Sequence, residues 1–150
     1  MSSKRLILPP VYLAVCLVLM LALHWLWPGP AIIPKPFGYI GIVDFVAGSA
    51  VAVWGNWRFR QATMTIKPFQ ESSALVTDGL FRYSRNPAYL GMVVGLAGIA
   101  VLLGSLAPWL PVPVFAVVVD RKLIHHEEAM LRDRFGPAYE AYCRKVRRWI

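Results

Sequence analysis

Charge is scarce in this sequence, and negative charge scarcest. Of 150 residues, 16% are charged, with 8 Asp and Glu against 16 Lys and Arg, while 57% are hydrophobic. That balance excludes an ordinary soluble domain and predicts a single membrane-embedded one. Cysteine is nearly absent: Cys16 lies deep in an apolar run and Cys143 in a polar tail, so no disulfide is expected and the compartment is not indicated. A small-residue cleavage site is missing after the first apolar run, which is also too long for a signal-peptide core, so the run is expected to be retained. Leu13 to Cys16 only loosely follows a lipoprotein signal, because Val15 fills the small-residue position. The basic residues flank apolar runs instead of gathering on a soluble face, which argues against nucleic acid as a partner.

Four apolar runs make up most of the chain, and the composition predicts an all-α polytopic membrane protein with spans at 6–27, 37–57, 88–107 and 110–124 and a cytosolic amphipathic tail at 125–150. Trp25 and Trp27 mark an interface, with His24 at headgroup level beside them. The second run is rich in small residues, among them Gly41, Gly48 and Gly55, and is expected to pack inside the bundle. Asp44, its only acid, lies within two turns of its outer end and is read as structural. Gly91, Gly95 and Gly98 suggest a packing face on the third run, although Gly91 is close enough to Tyr89 to admit a ligand. Lys4, Arg5, the polar stretch 58–84 and the tail carry nearly all the basic residues, which places both termini in the cytoplasm. The stretch 58–84 is long for a connection and reads as a lid or an interfacial segment.

Two clusters stand out. Gly79-Leu-Phe-Arg-Tyr-Ser-Arg-Asn-Pro-Ala-Tyr-Leu-Gly91 sets Arg82, Arg85 and Tyr89 at the start of an apolar helix that Pro87 is expected to open. Unpaired N–H groups and two guanidiniums attract a carboxylate or phosphate, while the plainer reading is a cationic anchor with an interfacial tyrosine. The second cluster is His125-His126-Glu127-Glu128. Counted back from the uncharged reversal near 104–113, Tyr89 and His125 each lie roughly 22 Å from its tip, so the two clusters should face each other at one depth. His125 and Glu128 have ligand-like spacing, but no second such pair exists, and no metal is expected. A solvated helix end remains the alternative to a ligand site there.

Past that cluster, Leu131, Phe135, Tyr139, Tyr142, Val146 and Ile150 recur at helical steps opposite Arg and Lys, with Gly136-Pro137 dividing two helices that would lie at the interface over the site. Gly79 to Gly91, Glu127-Glu128-Ala-Met-Leu131 and Phe135-Gly-Pro-Ala-Tyr139 with Tyr142, in that order, resemble the carboxyl-terminal cofactor region of the isoprenylcysteine carboxyl methyltransferase and phospholipid methyltransferase families. The resemblance covers the second half of the chain. It implies S-adenosyl-L-methionine bound on the cytosolic side by Arg85, Asn86, Pro87, Tyr89, Gly91, Glu127 and Glu128, with Arg85 and Glu128 closest to the chemistry. It also implies methylation of a lipid or small apolar acceptor (a carboxylate, amine or thiol), with Tyr139, Tyr142 and Arg148 as candidate acceptor contacts. Eukaryotic carboxyl methyltransferases have His where this chain has Asn86, and an amide cannot take up a proton and become charged. A bacterial inner membrane is the expected location and membrane lipids the expected partners; the sequence leaves the acceptor and the oligomeric state open. The rival expectation is a non-enzymatic four-helix membrane protein, either a transporter subunit or a scaffold that grips anionic lipid with its basic tail.

Overall fold

The structure is a computed structural model that describes residues 9–64 and 75–150. The described residues are helical throughout, apart from turns and one isolated backbone bridge. Residues 6–8 of the first expected span, the charges at Lys4 and Arg5, and the middle of the expected lid, 65–74, lie outside the described residues.

Helix α1 runs Pro9–Leu26, and a single turn, α2 (Lys35–Gly38), leads into α3 (Ile40–Met64). Helix α4 (Pro87–Leu103) starts at Pro87 as its missing N–H dictates and stops at Gly104, whose φ of +72° only glycine adopts without strain. Helix α5 (Pro111–Val119) passes through a wide π turn (Asp120–Ile124) directly into α6 (His125–Phe135). Gly136 then breaks the chain, and Pro137 opens α7 (Pro137–Lys145). Two stretches, Pro9–Leu26 and Lys35–Ala62, are long and apolar enough to cross a membrane, and α4 is a shorter apolar helix of 17 residues.

Successive long helices run antiparallel, with α4 at the centre. Met20 of α1, Leu96 and Ala100 of α4, and Phe115 and Val119 of α5 form the most deeply buried part of the core. Helix α3 packs on the opposite face of α4 by a seam of small residues. A Cβ on Gly91 would lie 2.5 Å from both Ala52 N and Gly48 O, and one on Gly98 2.5 Å from Phe45 N, so the two backbones touch and only glycine fits. The expectation that this helix lies inside the bundle needs correction. Val43, Val46, Val53 and Trp57 on its other faces are exposed, because the small residues serve one partner only.

Main-chain bonds join the two turns at one end of the molecule. Gly104 O accepts from Ile32 N (2.8 Å) and Ile33 N (3.1 Å), Pro30 O accepts from Leu106 N, and Pro28 O accepts from Ala107 N, both at 3.1 Å. His24 Nδ1 is paired with Ser105 Oγ at 2.9 Å beside them, a packing partner for a residue expected at headgroup level. At the opposite end the start of α1, the end of α3, the start of α4 and α6 converge around a cavity.

Candidate active site

The cavity measures about 320 Å³. Its polar part is built from two helix starts. Pro87 fixes the entry to α4, which turns Tyr89 toward α6, where its hydroxyl donates to Glu127 Oε1 at 2.6 Å. One residue on, Glu128 points a different way and receives guanidiniums from two sides. Arg85 Nη2 lies 3.3 Å from Oε1, and Arg148 forks onto both oxygens, Nε to Oε1 at 3.0 Å and Nη2 to Oε2 at 2.8 Å. The Glu128 side chain is 7% exposed, so this double compensation is what permits its charge. Removing both arginines would strand a buried carboxylate, while removing one leaves the other guanidinium in contact with it.

Arg85 also donates through Nη1 to Cys143 Sγ, yet its Nε is buried with no partner among the described residues. An unsatisfied buried donor in a cavity wall is a place for a ligand acceptor. The α4 N-terminus beside it adds N–H groups that favour an anion. Burial raises the Glu127 carboxyl above the ordinary carboxylate range, and the Tyr89 hydroxyl and the charge of His126 pull the other way. The twin acids thus point apart, each with its own partners. Tyr142 donates to Phe81 O at 2.7 Å, and burial pushes its phenol up to about 12. Burial, then the Glu128 charge, raises Tyr139 as well. Apolar residues complete the walls, chiefly Phe59, Phe81, Met92, Leu131 and Phe135.

Arg85, Asn86, Pro87, Tyr89, Glu127, Glu128, Tyr139 and Tyr142 thus line one space, as their order in the chain predicted. Three expected residues do not. Gly91 is spent on the seam with α3 and instead borders a smaller apolar space of about 60 Å³. Arg82 is exposed and lines nothing. Arg148 stands behind Glu128, outside the cavity, and reaches Asp120 with Nη1 at 3.4 Å. His125 and His126 are exposed, His125 Nδ1 lying 2.7 Å from Asp120 O, and no metal-binding group forms among the described residues. Asp44 is half-buried and away from the cavity. Sequence reasoning missed the wall that α3 supplies through Gly55, Asn56 and Phe59; the one signal was Phe59, an aromatic among the polar residues just past Trp57.

A family model described as phospholipid methyltransferase matches residues 37–138, which include both helix starts of the site. The chain belongs to the phospholipid methyltransferase family. It is also 39% identical over 75 residues, 48% of its length, to the protein-S-isoprenylcysteine O-methyltransferase of Schizosaccharomyces pombe. It is 34% identical over 118 residues, 73% of its length, to protein-S-isoprenylcysteine O-methyltransferase A of Arabidopsis thaliana. An uncharacterised protein of Haemophilus influenzae is 37% identical over 62 residues, 41% of this chain and 98% of that one. The aligned parts span 30% of the fission yeast protein and 55% of the plant protein. No solved structure matches. Within this methyltransferase family, then, the cavity and its paired charges are the features whose use has to be explained.

Proposed function

We propose that the protein transfers a methyl group from S-adenosyl-L-methionine to a lipid or small apolar acceptor at the cytosolic face of a membrane. The observation that carries this is that Arg85, with an Nε left unpartnered among the described residues, and Glu127 line one cavity, a cation and an acid available to a ligand that bears both charges. The cavity volume falls in the range of small-molecule sites. Bound there, the cofactor supplies an electrophilic methyl on a sulfonium. Arg85 and the start of α4 hold its carboxylate, and Glu127, whose hydrogen-bond donor among the described residues is a neutral hydroxyl, holds its ammonium. Asn86, Pro87 and Tyr89 fix the shape of that end. Phe59, Phe81, Met92 and Phe135 keep water out, which favours a displacement in which positive charge vanishes. Glu128, both of whose oxygens already accept from guanidiniums, orients Arg85 and moves no proton. Tyr139 and Tyr142 close the side toward the acceptor.

The same reading makes four membrane crossings. Helix α4 covers about 25 Å, and α5 with the π turn about 21 Å, so both cross only where the bilayer thins or their ends snorkel. Both termini are then cytoplasmic, in a bacterial inner membrane. Cysteines introduced at Lys35 and at Arg134 should label from opposite faces of sealed vesicles; labelling from one face refutes this topology.

Calorimetry with S-adenosylhomocysteine in detergent tests the site. Binding that falls at least about ten-fold in Arg85→Ala and in Glu127→Ala is expected, as for loss of a desolvated ionic contact. Folded protein that binds none removes the enzyme reading and leaves the lipid-gripping scaffold.

A further inference from the structure

The segment after α7 is tied to both halves of the site without entering it. Its main chain accepts from the corner ahead of α4: Arg85 N–H reaches Arg147 O at 3.1 Å, Asn86 Nδ2 reaches Arg148 O at 3.1 Å, and Ser84 Oγ reaches the same oxygen at 3.3 Å. Its side chains grip the junction of α5 and α6. Trp149 Nε1 donates to Asp120 Oδ1 at 3.2 Å, and Arg148 joins Asp120 to Glu128. One short stretch therefore sets the position of the α4 start against the α6 start.

We infer that Arg148 is a positioning residue, which fixes the plane of the Glu128 carboxylate from outside the cavity and through it the direction in which Arg85 presents its unpartnered Nε to a ligand carboxylate. The inference rests on the reading of the cavity as the S-adenosyl-L-methionine site. The physical ground is geometric. A guanidinium that bonds both carboxylate oxygens leaves that carboxylate no freedom to rotate, whereas an ammonium supplies charge without direction. The looser 3.3 Å contact from Arg85 is made to an oxygen already held by Arg148 Nε at 3.0 Å. Loss of the fork lets Glu128 turn and Arg85 follow it.

The test compares two ligands by calorimetry on the full chain in detergent: S-adenosylhomocysteine, and 5′-methylthioadenosine, which keeps the nucleoside and thioether but lacks the amino and carboxylate groups. Arg148→Lys should weaken the first about ten-fold or more and the second less than about two-fold, since only the first engages Arg85. Trp149→Phe, which drops the Asp120 bond and leaves Glu128 untouched, should keep the wild-type ratio of the two affinities. Equal weakening of both ligands by Arg148→Lys, or no weakening, overturns the inference. If Arg148→Lys does not fold, the near-isosteric Glu128→Gln must show the same selective loss, and an equal loss there overturns it as well. Wild-type protein that binds neither ligand removes the cofactor reading and this inference with it, a result distinct from binding without selectivity.

Discussion

At the scale of single residues, Glu127 carries the sharpest consequence. It is half-buried, its partner is a phenol 2.6 Å away, and burial lifts its carboxyl above the ordinary 4.5. Folding therefore favours the protonated acid. Its contribution to stability is fully present below about 4.5 and is lost as pH rises through the raised folded value, because charging the group there is costly. An ammonium ligand needs the charged form, so binding has the opposite slope. Affinity for S-adenosylhomocysteine should rise with pH across that window and level off above it, with a proton released on binding that calorimetry in buffers of different ionisation heat can count. Glu127→Gln should flatten the profile and weaken binding about ten-fold. A profile that the substitution leaves unchanged would assign the ammonium to another group. That the corner carrying Arg85 and Tyr89 faces the twin glutamates was legible in the sequence, since it needs only equal residue counts on two arms of a hairpin. Which glutamate takes which partner was not. Neighbours on a helix point about 100° apart, and the second arginine arrives from 20 residues further along, by a return of the chain that no local pattern encodes.

Among elements, the α3–α4 seam is the least forgiving contact. Gly41, Gly48 and Gly55 of α3 recur every seven residues and meet Gly98, Gly91 with Gly95, and Ala88 of α4. Gly48→Ile places a branched side chain where backbone already lies, and forces the helices apart. A loss of at least about 1–3 kcal/mol is expected, read as a fall in thermal midpoint in detergent, whereas Val46→Ile on the exposed face of the same helix should change little. Equal effects of the two would refute the seam. Helix limits at Pro87 and at the Gly136-Pro137 pair could be read directly, whereas the third span, expected to run to 107, stops at Leu103 because Gly104 turns left-handed. The end of α3 could not. Asn56, Arg58 and Arg60 ended the apolar count at Trp57, but hydrogen bonding within the helix is indifferent to polarity and runs on to Met64. The π turn has no signature either, since Asp-Arg-Lys-Leu-Ile suits an α-helix equally well.

For the whole molecule, an all-helical antiparallel order followed from the placement of apolar runs and basic connections. The central place of α4 did not, because every run is apolar and hydropathy does not say which face meets protein and which meets lipid. The two turns that share Gly104 as acceptor are stitched main chain to main chain, while Pro9 and Pro10 at the other end of α1 merely border the cavity. Such a helix is expected to hinge at its stitched end. Across the 18 residues of α1, a swing of roughly 4° about the stitched end would move Pro9 by about 2 Å and break none of those bonds. Spin labels at Val11 and Trp57 should therefore separate when an amphiphile enters, while labels at Trp27 and Leu110 keep their distance; movement at both ends would show that the helix slides instead of swinging. If α1 hinges in this way, a broad guest enters beside Pro9 and Pro10 while the contacts of Arg85, Glu127 and Glu128 keep their geometry.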